Sequence, residues 1–328
     1  MKIQLTIIGL GQIGTSAGMA LTKYKDKIFR VGHDKSRNVV NLAKEKRAVD
    51  KIALTLSGSV READIVLLAL PLQETYDVLK HISLDLKEDV LVIDTSPLKM
   101  VVLEWMKEFL PETCHYVGYT PVIKADYLGD GNYGPEAAHE DLFKENLIGM
   151  VSAPNTSDTA ISMAINLAQL LGGLPYFSDA VEMDGLMSMV HLIPQVVSAA
   201  MLRISLDAPG WREARKIAGK PYYQLTNPFG QDELPGALAA AMINNQENTT
   251  RLINDLIQAL VEIRDRTDTA KQGKLEESFT KLQQGRDLWL ADRRDGSWID
   301  TPKVETRSVG VLSHLLGFRG PKQPKEDE

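Results

Sequence analysis

Cysteine is nearly absent: one residue, Cys114, in 328. That excludes a disulfide framework within the chain and a multi-cysteine zinc site, and it predicts a reducing, cytoplasmic setting. Metal-ligand spacing is missing as well, with neither an H-E-x-x-H pair nor a carboxylate–glycine calcium loop. Basic charge is in deficit, 37 Lys and Arg against 44 Asp and Glu for a net charge of −7. A nucleic-acid partner is therefore not expected. No run reaches the roughly 20 apolar residues of a membrane span, so no membrane partner is expected either. The opening MKIQLTIIGLG has one lysine, a short apolar run and no small-residue cleavage site after it, which predicts a first strand rather than a signal peptide.

What is present divides the chain in two. A length of 328 residues suggests about two domains. Up to residue 178, short apolar runs alternate with helical stretches: LTIIGL, IFRVGHD, ADIVLLALP, DVLVIDTS and HYVGYT, with NLIGMVSAP as a further candidate. Apolar runs separated by helices imply a parallel sheet with right-handed crossovers. AISMAINLAQLLGG predicts a helix closed by its glycines. From 179 to 300 the pattern is helical. DAVEMDGLMSMVHLIPQVVSAAMLRISL predicts one long apolar helix kinked at Pro194. Leu252, Leu256, Leu260 and Ile263, widened by Ile253 and Ile257, form one apolar stripe; Leu275, Phe279, Leu282 and Trp289 form another. Such broad stripes predict a homodimer interface. Residues 301–328 read as a tail.

IIGLGQIGTS places Gly9, Gly11 and Gly14 in G-x-G-x-x-G spacing between a strand and a helix. The first glycine permits the turn, the second admits a diphosphate to the backbone, and the third packs helix on strand. Gln12 and Ile13 stand at the helix N-terminus, where free N–H groups favour an anion. Asp34 ends the next strand, twenty residues past Gly14. An acid there accepts from the adenosine ribose and repels a 2′-phosphate, so NAD is favoured over NADP, with Lys35 and Arg37 close enough to keep NADP open. The expected fold is a Rossmann-type doubly wound α/β sheet followed by a helical domain. ALPLQET and IDTSPLK follow two of the strands and would line the crevice, offering Leu70, Pro71, Thr75, Thr95 and Ser96 to the cofactor. Thr95 or Ser96 as a helix cap, and Asp94 as either cap or ligand contact, are the alternatives.

The glycine loop, DTSPLK, the G-Y-T-P segment, GPEAAHEDLF, GWREARKIA and VHLIPQVVSAAML occur in an order that resembles prephenate dehydrogenases, the group that includes arogenate dehydrogenases. The resemblance implies an NAD(P)-binding domain, a helical dimerisation domain, and oxidative decarboxylation of a small carboxylated substrate in the cleft between them. Four motif positions depart from the family. Thr120 replaces the histidine that accepts the ring-hydroxyl proton, Pro97 the serine, Gln195 the second histidine, and Lys216 the carboxylate-anchoring arginine, with Arg215 one residue early. Lys99 matches.

A threonine hydroxyl orients an oxygen but is no general base near neutral pH. Replacement candidates are His191, on one helix face with Gln195, and Lys99; the alternative for His191 is a satisfied side chain inside an apolar helix. Arg215 and Lys216, with Arg212, are expected on one helix and would bind a carboxylate or form a solvated face. His115 reads as structural and His139 as surface, while Tyr119, Tyr127, Tyr222 and Tyr223 are pocket candidates. Three functions follow: a prephenate-type dehydrogenase with altered base chemistry, the same scaffold acting on another hydroxy acid, or a silent dinucleotide-binding regulator.

Overall fold

The computed structural model describes residues 2–129, 131–229, 235–267 and 272–296. Eight strands form one sheet: β1 (Ile3–Ile8), β2 (Ile28–His33), β3 (Lys51–Ile52), β4 (Ile65–Leu68), β5 (Leu91–Asp94), β6 (His115–Pro121), β7 (Leu147–Ser152) and β8 (Leu174–Phe177). Their order is β3-β2-β1-β4-β5-β6-β7-β8. Strands β1 to β6 run parallel. The expectation of a wholly parallel sheet needs one correction, because β7 pairs antiparallel with β6, and β8 runs parallel to β7. Among its described residues the β6–β7 connection, 122–146, holds only short helical turns and no crossover helix, and the chain returns alongside β6 in the opposite sense. The two-residue β3 and the half-exposed β8 carry too little apolar sequence to stand out as strands.

Helices α1 (Gln12–Ala20), α2 (Arg37–Glu45), α3 (Leu56–Val60), α4 (Leu72–Ile82), α5 (Met100–Phe109) and α6 (Asp158–Leu170) cover the sheet. Two buried clusters result, one around Leu5, Ile7, Leu67, Ile93 and Leu167, the other around Ile8, Val66, Leu68, Val92 and Val102. Strand residues alternate between these layers, as a sheet buried on both faces requires. Ser36, Thr55 and Ser157 cap their helices by accepting backbone N–H bonds. Past Leu171, Gly172 takes φ +89° and closes α6 as expected.

Beyond β8 the described chain is helical: α7 (Ala180–Met187), α8 (Ile193–Leu206), α9 (Trp211–Ala214), α10 (Lys220–Thr226), α11 (Pro235–Asn244), α12 (Gln246–Arg264) and α13 (Gln272–Asp295). A π-helical turn, Ser188–Leu192, joins α7 to α8. Pro194 lacks an N–H and crowds the preceding turn, and the widened turn just before it absorbs that conflict. Ala180–Leu206 is thus one 27-residue element, long and apolar enough by length and composition to cross a membrane. This revises the expectation that no segment approaches that length. Only 22% of its most apolar stretch is buried. One side packs on the sheet layer through Met183 and Leu192, while Val181, Leu186, Met189, Val190 and Ile204 are exposed. Ile257, Leu260, Ile263, Phe279, Leu282 and Trp289 of the predicted stripes are exposed too. The expected tail, 301–328, lies outside the described residues.

Candidate active site

The sheet order reverses direction between β1 and β4, and crevices outside the carboxyl ends of strands at such a point take ligands. The glycine turn occupies this place. Gly9 has φ +89°, and a Cβ there would stand 2.2 Å from the Ala69 carbonyl oxygen. A Cβ on Gly14 would lie 1.9 Å from the Gly9 carbonyl oxygen. Gly11 differs, because a Cβ there meets nothing within 4 Å. Its backbone faces open space, the room a diphosphate needs. Gly11 also caps α1 without any side-chain hydrogen bond, in contrast to Ser36 and Ser157. The first N–H groups of α1 therefore suit an anionic ligand.

Asp34 closes the other side. Its Oδ2 accepts from Leu10 N at 2.9 Å and its Oδ1 from Ser36 N at 2.8 Å. These bonds fix the half-buried carboxylate beside the glycine turn. Gln12 donates from Nε2 to the Ala137 carbonyl at 3.1 Å, and Ser16 Oγ accepts from His139 N at 3.0 Å. The 134–139 segment thereby packs on α1. His139, read as surface from sequence, is half-buried and stacks on Tyr127 with ring centroids 3.9 Å apart. Ile13, Leu70 and Pro71 stand half-exposed at the crevice. Thr75 does not: it is fully buried and its hydroxyl donates to the Pro71 carbonyl at 3.2 Å, satisfying its own helix rather than a cofactor ribose.

The IDTSPLK turn is an interior network. Asp94 is fully buried, and Lys99 Nζ lies 3.1 Å from its Oδ2. Tyr116 OH donates to Asp94 Oδ1 at 2.6 Å, and Ser96 gives both N–H and Oγ–H to Oδ2. Lys99 also donates to the Ser96 carbonyl at 2.7 Å. Gly118 provides the space, since a Cβ on it would lie 2.8 Å from Lys99 Cδ. Burial lowers the Lys99 ammonium below its ordinary value, opposed by Asp94, and burial raises the Tyr116 phenol. Lys99, expected as acid or base or as a cation for substrate or cofactor, and Ser96, expected as cofactor contact or helix cap, are both enclosed here and bonded to Asp94. Thr95 remains half-exposed at the strand end, its Oγ1 donating to the Leu68 carbonyl at 3.3 Å.

Thr120 is at the seam between sheet and helices. It pairs across the antiparallel ladder with Gly149, and a Cβ on Gly149 would lie 2.7 Å from Met183 Cε of α7 and 3.3 Å from Thr120 Cβ. Thr120 Oγ1 is buried and has no hydrogen-bond partner among the described residues. A buried hydroxyl without a partner is costly, and a ligand oxygen would satisfy it. Eight residues along the same helical element, about 12 Å at helical rise, His191 is half-buried in the π turn. Gln195 Nε2 lies 3.4 Å from His191 Nε2 and 3.2 Å from the His191 carbonyl. The adjacent Leu192 is buried with Leu68, Leu72 and Leu98, which sets the π turn against the ends of β4 and β5.

Arg215 and Lys216, expected either to bind a carboxylate or to form a solvated face, are exposed. The expected helix lasts one turn, α9, and Lys216 Nζ pairs with Glu213 at 2.5 Å on the surface. Of the tyrosines, Tyr119 is buried with its OH on the Ala164 carbonyl, and Tyr223 is exposed. Tyr222 joins Trp211, Met201 and Ile217 around an apolar cavity of about 370 Å³. Two residues gave no sequence signal. Asp184 of α7 accepts from the N–H groups of Lys99 and Met100. Arg293 of α13, 8% exposed, reaches Asn146 Oδ1 at 3.0 Å and the Ile123 carbonyl at 2.5 Å. Both acquire partners only when distant segments fold together.

A sequence profile for the nucleotide-binding domain of prephenate dehydrogenase matches residues 17–175. That segment of the chain is therefore similar to the nucleotide-binding domain of prephenate dehydrogenases. The chain is 28% identical to a cyclohexadienyl dehydrogenase of Zymomonas mobilis, over 60% of this chain and 66% of that protein. It is 26% identical to a prephenate dehydrogenase of Bacillus subtilis, over 97% of this chain and 85% of that one. Among solved structures, prephenate dehydrogenase from Aquifex aeolicus, in complex with hydroxyphenyl propionate and NAD+, superposes with a TM-score of 0.72 at 18% identity, covering 87% of this chain and 98% of that one. At that identity the structural likeness establishes the fold. The matched segment falls on the strand-rich part of the chain, with the glycine turn just ahead of it.

Proposed function

We propose that this protein is an NAD-dependent dehydrogenase of the prephenate type, oxidising a small carboxylated hydroxy substrate. The observation that carries the reading is the Asp34 carboxylate bonded to Leu10 N beside an uncapped helix start at Gly11. The α1 amides and Gly11 would hold a diphosphate, and Asp34 the adenosine ribose. When bound, NAD supplies the hydride acceptor. Thr120 Oγ1 would hydrogen-bond the substrate hydroxyl at the seam below Met183, orienting the carbon that is oxidised. His191 is the remaining candidate to receive the hydroxyl proton, with Gln195 steadying its ring. Arg215 and Lys216 would bind a substrate carboxylate only in a different setting, such as beside a second copy. The exposed stripes on α8, α12 and α13 support a homodimer through the helical part, residues 179–300, with 1–178 as the dinucleotide-binding domain. The lone buried Cys114 fits the cytoplasm.

Calorimetric titration with NAD+ tests the binding step, and NADH formation with prephenate, arogenate and simple 2-hydroxy acids tests the reaction. Absence of binding defeats the reading. Tight binding without turnover on any of these favours the second reading, a silent dinucleotide-binding regulator, which the loss of a histidine at Thr120 supports.

A further inference from the structure

Lys35 and Glu74 are joined across the crevice. Lys35 follows Asp34 at the end of β2, and Glu74 lies in the first turn of α4, just past β4. These strands flank β1 on opposite sides. The ion pair, Lys35 Nζ to Glu74 Oε1 at 2.6 Å, therefore passes from one wall to the other on the side where Asp34 stands. Side-chain exposure is 71% for Lys35 and 24% for Glu74, so the lysine reaches through solvent to the better-fixed acid.

The position of this cation matters for the choice of dinucleotide. A 2′-phosphate on the adenosine ribose would approach Asp34 and be repelled. A lysine at the next residue could offset that repulsion and admit the phosphate, as a nearby cation does in phosphate-tolerant sites. Here the ammonium is already engaged, and its partner adds a second negative charge to the same rim. We propose that Glu74 is a specificity-determining residue: by holding and neutralising Lys35 it biases the site against 2′-phosphorylated dinucleotides. The inference rests on the dinucleotide reading of the glycine turn and adds to it a residue outside the G-x-G-x-x-G motif and outside direct ribose contact. Being exposed, the effect is screened by salt.

The test is calorimetry of the full chain with NAD+ and NADP+, comparing wild type, Glu74→Gln, Glu74→Ala, Lys35→Ala and the Glu74→Gln/Lys35→Ala double variant. Freeing Lys35 is expected to tighten NADP+ binding by about fivefold or more in both Glu74 variants, with NAD+ affinity changed by less than about twofold. The gain should vanish in the double variant and shrink between about 50 and 500 mM salt. Unchanged NADP+ affinity in both Glu74 variants, or a gain that survives loss of Lys35, overturns the inference while NAD+ binding stands. Wild-type protein that binds neither nucleotide overturns the dinucleotide reading and this inference with it.

Discussion

Asp184 caps a helix that begins 84 residues earlier in the chain: its Oδ1 accepts from Lys99 N at 2.5 Å and its Oδ2 from Met100 N at 3.2 Å. The carboxylate of α7 thus satisfies the start of α5 and ties the helical segment to the sheet layer at the point where Lys99 turns inward to Asp94. Burial raises the Asp184 carboxyl above its ordinary value, and the two N–H bonds work against that rise. Asp184→Ala should destabilise the protein by about 1–3 kcal/mol, the loss of a cap together with two poorly satisfied buried donors. Urea denaturation measures it; an unchanged midpoint would remove the tether.

Gly11 and Gly14 should separate binding from folding. Alanine at Gly14 collides with the Gly9 carbonyl and must shift the turn, so Gly14→Ala should lower thermal stability and abolish nucleotide binding together. Alanine at Gly11 meets open space. Gly11→Ala should melt within a few degrees of wild type yet bind NAD+ at least about tenfold more weakly, about 1.4 kcal/mol. Undiminished affinity would place the diphosphate elsewhere.

Arg30 is 3% exposed and bonds Asp50 through Nε and Nη2, while its Nη1 reaches the Gly18 carbonyl. Burial pushes the Asp50 carboxyl up, but the hydrogen bonds and charge of Arg30 more than reverse this, leaving it below its ordinary value of 3.8. A lowered carboxyl contributes stability that is present above the ordinary value and is lost as pH falls through the folded one. Asp50→Ala should therefore cost about 2–4 kcal/mol near neutrality, because a buried guanidinium loses its partner. Its deficit relative to wild type should narrow below pH 3.8. Denaturation curves at neutral and acid pH check the sign.

Thr120→Val removes a buried hydroxyl that no group among the described residues satisfies. Stability should stay level or rise by up to about 1 kcal/mol. With an accepted hydroxy-acid substrate, KM should rise about tenfold while NAD+ affinity holds, consistent with one lost ligand hydrogen bond. An unaltered KM would take Thr120 out of the site. Thr120→His is the complementary variant: gain of prephenate oxidation would show that the surrounding pocket still accepts that ring.

Local pattern was enough to mark β1, β2 and β4 to β7, the glycine turn, the Asp34 partner and the closing glycines of α6, because each is specified by residues near one another in the chain. β3 and β8 escaped notice because two- and four-residue edge strands have no apolar period to display. The reversal of β7 escaped because strand direction depends on how the 122–146 connection packs against α1, a tertiary matter. Spacing placed Lys99 and Ser96 near the crevice, and only the fold shows that their side chains turn inward to Asp94.

The linear order of residues therefore determined the glycine turn, the start of α1 and the placing of Asp34 beside them, since turn conformation, helix start and acid spacing are short-range properties set by backbone sterics. Folding alone decided which polar groups are spent internally and which are left without a partner among the described residues. Asp94 takes Lys99, Ser96 and Tyr116, whereas Thr120 Oγ1 is left without a partner. That division arises from the packing of α7 and Gly118 around distant strands, and desolvation in the packed interior makes every such pairing an all-or-none matter for the group concerned.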